Sequence, residues 1–181
     1  MKLRWPVIAF CLSVTFGTAE ARQWSPDVHA SALDYSQIFH ARPSGEIVLL
    51  WWVVPEIFTP NANNQSLLNV LSHYVVIGVA EGRPGGNGAL AFENVPALQI
   101  ADQNGRMFSA IPDSSLPADV SQGIANLQAL SRQSQLGPIA QGMHWFVYQA
   151  DSIHSCAPGR LSVPFAGETY TFDTPIPGCP K

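Results

Sequence analysis

The side chains best suited to proton transfer or metal ligation at neutral pH are five histidines, His29, His40, His73, His144 and His154. Their spacing builds no familiar site: H-E-x-x-H is absent, and so is the H-x-E with C-x-x-C pattern of zinc deaminases. His154-Ser155-Cys156 sets an imidazole and a sulfur two positions apart, and His144 stands across an expected hairpin, so a copper-type nitrogen and sulfur set would form there if the thiol were free. His144 and His154 are therefore the candidate metal ligands, and no bound cofactor is expected. Nucleophilic chemistry finds less support. No G-x-S-x-G elbow and no S-x-x-K occurs, and Lys181 is the sole lysine beyond residue 21. A P-loop and a G-x-G-x-x-G run are also missing; Gly82 to Gly88 reads as a hairpin turn, and Asp102 and Asp113 fall in turns that they shape. No catalytic residue is assigned, and the chain reads as non-enzymatic.

The cysteines depend on the compartment, which the amino terminus specifies. Lys2 and Arg4 precede an apolar run from Trp5 to Phe16 and then the small residues Gly17, Thr18, Ala19 and Ala21. That order is a secretory signal peptide, residues 1–21, with Ala19-Glu20-Ala21 as the A-x-A cleavage site. The apolar run falls short of the roughly 20 residues that span a bilayer. Cleavage removes Cys11 and leaves Cys156 and Cys179, which should pair in an oxidising environment. Periplasmic or secreted localisation follows, and no transmembrane segment is expected in residues 22–181, which read as a single domain.

Charge excludes one class of partner. The chain carries 9 Lys and Arg against 13 Asp and Glu; without the leader the balance is seven against twelve, with no basic stripe. Phosphate backbones would be repelled, so no nucleic acid is expected as partner.

The elements that must position these residues are mostly strands. Glu46 to Val54, Tyr74 to Ala80, about 89–93, about 97–101, 106–111, 143–149, 160–165 and 168–172 carry branched and aromatic runs bounded by turn residues. Asp102-Gln103-Asn104-Gly105 is a hairpin signal. Arg22 to Pro43 stays ambiguous: Ser25-Pro26-Asp27 resembles a helix start, while Tyr35 to Phe39 could enter a sheet. Leu67 to His73 has room for a helical turn. Val120, Ile124, Leu127 and Leu130 recur at helical spacing, which predicts an amphipathic helix over 118–135 with a stop at Gly137-Pro138.

Many short strands with one inserted helix predict a mainly β fold, a β-sandwich. The D-x-x-G-x-x-F hairpin Asp102 to Phe108, a crossing segment, an aromatic strand and a terminal hairpin together resemble bacterial extracytoplasmic immunoglobulin-like domains over about residues 46–173. The resemblance implies an immunoglobulin-like sandwich and carries no functional residue with it.

One pattern goes beyond a two-layer sandwich. Ile47, Leu49, Trp51 and Val53 line one side of their strand and Val48, Leu50, Trp52 and Val54 the other, so both sides are apolar. Trp145 and Val147 face away from Phe146 and Tyr148 in the same way. Either the predicted helix covers the second face, or Trp51, Trp52, Trp145 and Tyr148 form an interaction surface for another protein of the envelope. The expected function is an exported, non-enzymatic interaction module of inhibitor, immunity or envelope-accessory type; the alternative is a periplasmic carrier of a small ligand or copper.

Overall fold

The computed structural model describes residues 22–24, 36–39, 45–86, 89–134, 136–176 and 179. The expected leader, His29, His40 and the Ser25-Pro26-Asp27 helix start lie outside them. In chain order the elements are β1 (Arg22–Trp24), β2 (Ser36–Phe39), β3 (Glu46–Val53), α1 (Gln65–His73), β4 (Val75–Pro84), β5 (Leu90–Phe92), β6 (Gln99–Ala101), β7 (Met107–Ser109), α2 (Ala118–Gln133), β8 (His144–Tyr148), β9 (Gly159–Phe165) and β10 (Glu168–Thr174). The protein is mainly β, with two sheets that are antiparallel apart from the β1–β10 pair.

One sheet runs β2-β3-β4, and the far edge of β4 is shared by β5 at one end and β8 at the other. The second runs β1-β10-β9-β6-β7. β4 continues past Ala80, where the glycine-rich stretch reads as a turn, because the start of β3 needs partners there: Val48 pairs Glu81 and Ile47 pairs Gly82. The turn itself tightens to the Gly85 N–H to Ala89 C=O bond of 2.7 Å.

Alternation sends Val48, Leu50 and Trp52 of β3 and Val54 just after it, with Val75, Ile77 and Val79 of β4, toward the second sheet. They meet Leu161, Val163, Tyr170 and Phe172 there, and Trp52 stands edge-on to Phe172 at 5.7 Å. The opposite face of the first sheet presents Val53, Val76, Trp145 and Val147 to Leu67, Val70 and Leu71 of α1 and Val120, Ile124 and Leu127 of α2. The layers are therefore sheet, sheet, helix pair, and burying each of these large side chains contributes roughly 1.5–3 kcal/mol.

Local sequence accounts for the helix layer. Asp119 sits in the first turn of α2 and Arg132 in the last, each the favourable sign for the helix dipole. The inward stripe runs through Val120, Ile124 and Leu127 to Ser131, so Leu130, expected in that stripe, is turned out and 47 % exposed. Gly123 sits where the helices cross: a Cβ there would stand 2.9 Å from Val70 Cγ2.

Gly78 has a similar role in the sheet. It lies in register between Trp51 of β3 and Trp145 of β8, whose rings meet edge-to-face at 5.8 Å. A Cβ on Gly78 would fall 2.5 Å from Met143 Cε and 2.8 Å from Trp145 Cζ3. Gly78→Ala is expected to destabilise the fold by about 1–3 kcal/mol through overpacking. A urea melt showing the variant as stable as the parent would mean that the indole moves aside freely.

The Asp102 turn closes the β6–β7 hairpin as its sequence implies. Oδ1 accepts from the Asn104 and Arg106 N–H groups at 2.9 and 3.0 Å, and Ser152 Oγ donates to Oδ2 at 2.8 Å. The Ser152 bond leads the influences that hold this carboxyl below its ordinary range. Cys156 and Cys179 are bonded, with Cα atoms 5.4 Å apart, so the β8–β9 loop is tied to the segment after β10. Among the described residues no helix is long and apolar enough to cross a membrane.

Candidate binding groove and the cleft at the disulfide

The aromatic residues considered above as an interaction surface are core residues. Trp52, Trp145 and Tyr148 are buried, and Trp51 is partly so. For Trp51 and Trp145 the reason is the helix pair, which covers the second face from within the chain. Trp51 and Trp145 share the helix side, whereas Trp52 and Tyr148 pack on the side of the second sheet. Tyr148 Oη donates to the Leu98 carbonyl at 3.1 Å, which pins the segment before β6 across β8; burial pushes the phenol's pKa well up.

With the faces closed, the open feature is an edge. β8 pairs β4 on one side only. On its other side, the Val147 C=O accepts from the Ile111 N–H at 2.8 Å, so the backbone groups of Val147 point away from β4. Strand periodicity aims those of Trp145 the same way. The covering chain leaves after Ile111, because Pro112 has no N–H and starts the turn into the 3-10 segment Asp113–Ser115. Among the described residues nothing pairs with the outward N–H and C=O of Trp145.

A groove of about 890 Å³ opens along this edge. Ser121, Ile124, Ala125 and Gln128 of α2 form one wall, Leu98, Gln99, Ser109 and Ala110 beside the β6–β7 hairpin form the other, and Met143 to Val147 run along the floor. Of the described side chains that line it, only Asp113 and His144 are ionisable. The groove thus continues the first sheet outward between the helix layer and the second sheet. Sequence reading missed it because it depends on which strand ends a sheet.

A second cavity, about 400 Å³, lies at the end of β3 against the carboxy-terminal end of α1 and the loop after β8. Glu56, Ser72, His73, Asp151, His154 and Cys156 are among its lining residues. Glu56 Oε1 accepts from Ser155 Oγ at 2.8 Å and touches Cys156 Sγ at 3.2 Å. A disulfide sulfur has no proton to give, so the latter is a contact and not a hydrogen bond. Glu56 Oε2 is buried without a hydrogen-bond partner. Glu56 carries no sequence signal beyond following Pro55, and only the fold sets it against the bridge.

The two candidate metal ligands are not brought together: His144 lines the groove and His154 the cleft. The copper arrangement also loses its sulfur, since Cys156 is bonded to Cys179. His73 Nδ1 lies 2.9 Å from both the Asn69 carbonyl and Ser72 Oγ on its own helix. Among the described residues no hydrogen bond or ion pair joins a histidine to a carboxylate. Compared with known proteins, the chain matches no family model, no curated protein and no solved structure.

Proposed function

We propose that this is an exported, non-enzymatic binding module that takes an extended segment of an envelope protein along the free edge of β8. It acts in the periplasm or outside the cell once residues 1–21 are removed. The observation that carries this reading is the unpaired backbone of Trp145 at the floor of a slot flanked on both sides by other layers. An added strand lies about 4.8 Å from its neighbour, so an incoming segment would sit between α2 and the β6–β7 hairpin. Main-chain hydrogen bonds would supply affinity, and the alternating side chains would meet the Ile124 and Ala125 wall on one side and the Leu98 and Ala110 wall on the other. The mostly uncharged lining favours apolar and small polar side chains over charged ones.

Extended peptides selected from a random library against the immobilised protein test this. A bound peptide should slow hydrogen exchange at the Trp145 amide, and Ser121→Arg or Ala125→Arg, both at exposed wall positions, should weaken binding by roughly ten-fold or more, about 1.4 kcal/mol. Peptides that bind equally well to both variants and leave that amide unprotected would remove the proposal. A small apolar molecule that fills the groove without protecting the amide would favour ligand carriage instead.

A further inference from the structure

We infer that reduction converts Cys156, Cys179 and Glu56 into a three-ligand site for a thiophilic divalent metal ion of the zinc class, so this corner of the fold holds either a disulfide or a metal. The ligand atoms are already gathered: one carboxylate oxygen and the two sulfurs lie within 4.8 Å of one another. Their presentation is fixed from three directions. Pro55 opens the one-turn 3-10 segment that carries Glu56, Ser155 Oγ holds Oε1, and the Ile176 N–H bonds the Ser155 carbonyl at 2.9 Å, which keeps the Cys179 segment against the loop.

The second observation is the orphaned oxygen. Glu56 Oε2 is buried with no partner, an arrangement that costs free energy unless something meets it. While the bridge is intact, the Cys156 sulfur beside Oε1 has no proton to donate to this carboxylate. A dithiol supplies two electrons and two protons and itself becomes a disulfide; a phosphine supplies the electrons and becomes its oxide, with water giving the oxygen and both protons. Either breaks the S–S bond and forms two thiols. A divalent ion then displaces both thiol protons and meets two thiolates and a carboxylate, three negative charges in all. Thiolate ligands select zinc-class ions over magnesium or calcium. At Zn–S distances of about 2.3 Å, tetrahedral geometry puts the sulfurs about 3.8 Å apart, within reach of side-chain rotation for Cα atoms 5.4 Å apart. The fourth position falls to water from the adjoining cleft.

Cobalt(II) is the probe, titrated into full-length oxidised protein, phosphine-reduced protein, and reduced Glu56→Ala, Glu56→Gln and Cys156→Ser variants, with far-UV circular dichroism recorded alongside. The reduced parent should take up one equivalent, with thiolate-to-cobalt charge-transfer bands and a tetrahedral visible spectrum, while the oxidised protein shows neither. Both Glu56 variants should bind roughly ten-fold or more weakly, and Cys156→Ser should lose the bands. Zinc should displace cobalt and raise the melting temperature of the reduced protein alone. Equal affinity in the Glu56 variants overturns the inference, whether or not the reduced chain stays folded, because an unfolded dithiol would bind without the carboxylate. Failure of the reduced parent to bind one equivalent overturns it as well.

Discussion

Trp52→Ala is expected to lower folding stability by about 3–5 kcal/mol, the range for removing a large aromatic side chain from a closed core. Trp52 is 4 % exposed, lies in the cluster shared by the two sheets and stands edge-on to Phe172, so truncation leaves a void lined by both layers. For a domain of this size, that loss lowers the melting midpoint by on the order of 10 °C. The measurement separates the two roles open to these aromatics. A surface anchor for a partner would change stability by no more than about 0.5 kcal/mol on truncation. Urea melts that superimpose for Trp52→Ala and the parent would therefore contradict the core assignment, whereas a shifted midpoint with an unchanged slope supports it.

Removing the bridge has the next largest effect. Cys156 and Cys179 are 23 positions apart, and the chain-entropy model assigns a loop of that length about 3 kcal/mol, acting on the unfolded chain. The Cys156→Ser, Cys179→Ser double variant and the reduced parent, in metal-free buffer, should both melt at lower denaturant than the oxidised parent, and at nearly the same concentration as each other. The sheets should survive, since the bridge joins the loop after β8 to the segment after β10 and does not cross the core of Leu50, Ile77, Leu161 and Phe172. Identical melts of oxidised and reduced protein would show that the unfolded chain is already constrained there.

These expectations bear on the proposed activity. Both faces of the first sheet are closed within the chain, so the proposed recognition falls to an edge, where affinity would come from backbone hydrogen bonds and specificity from the walls of the slot. The edge is guarded as protein edges commonly are: Ile111 covers it at Val147, and Pro112 then ends the pairing. What remains open is short, which limits self-association.

Much of the fold was readable from local pattern. The run Glu46 to Val54 became β3 over Glu46–Val53, the branched run at Tyr74 became β4, and the terminal hairpin appeared as β9 and β10, because alternation and bounding turn residues act over a few positions. The helix expected over 118–135 is α2, Ala118–Gln133, and the apolar run on both faces of β3 called for a cover on the second face, by the helix or by another protein, which the helix pair supplies. The pairing of Cys156 with Cys179 needed only the count of cysteines outside the expected leader. The nature of the cover, the strand orders and the open edge of β8 were decided by the tertiary structure. Each depends on which distant segments meet, such as Val70 of α1 on Gly123 of α2, or Ile111 on Val147. The same holds for Glu56, whose carboxylate faces the bridge because Ser155, 99 positions away, hydrogen-bonds it there. Periodicity records which side of an element is apolar, but the partner for that side is chosen by the packing of the whole chain.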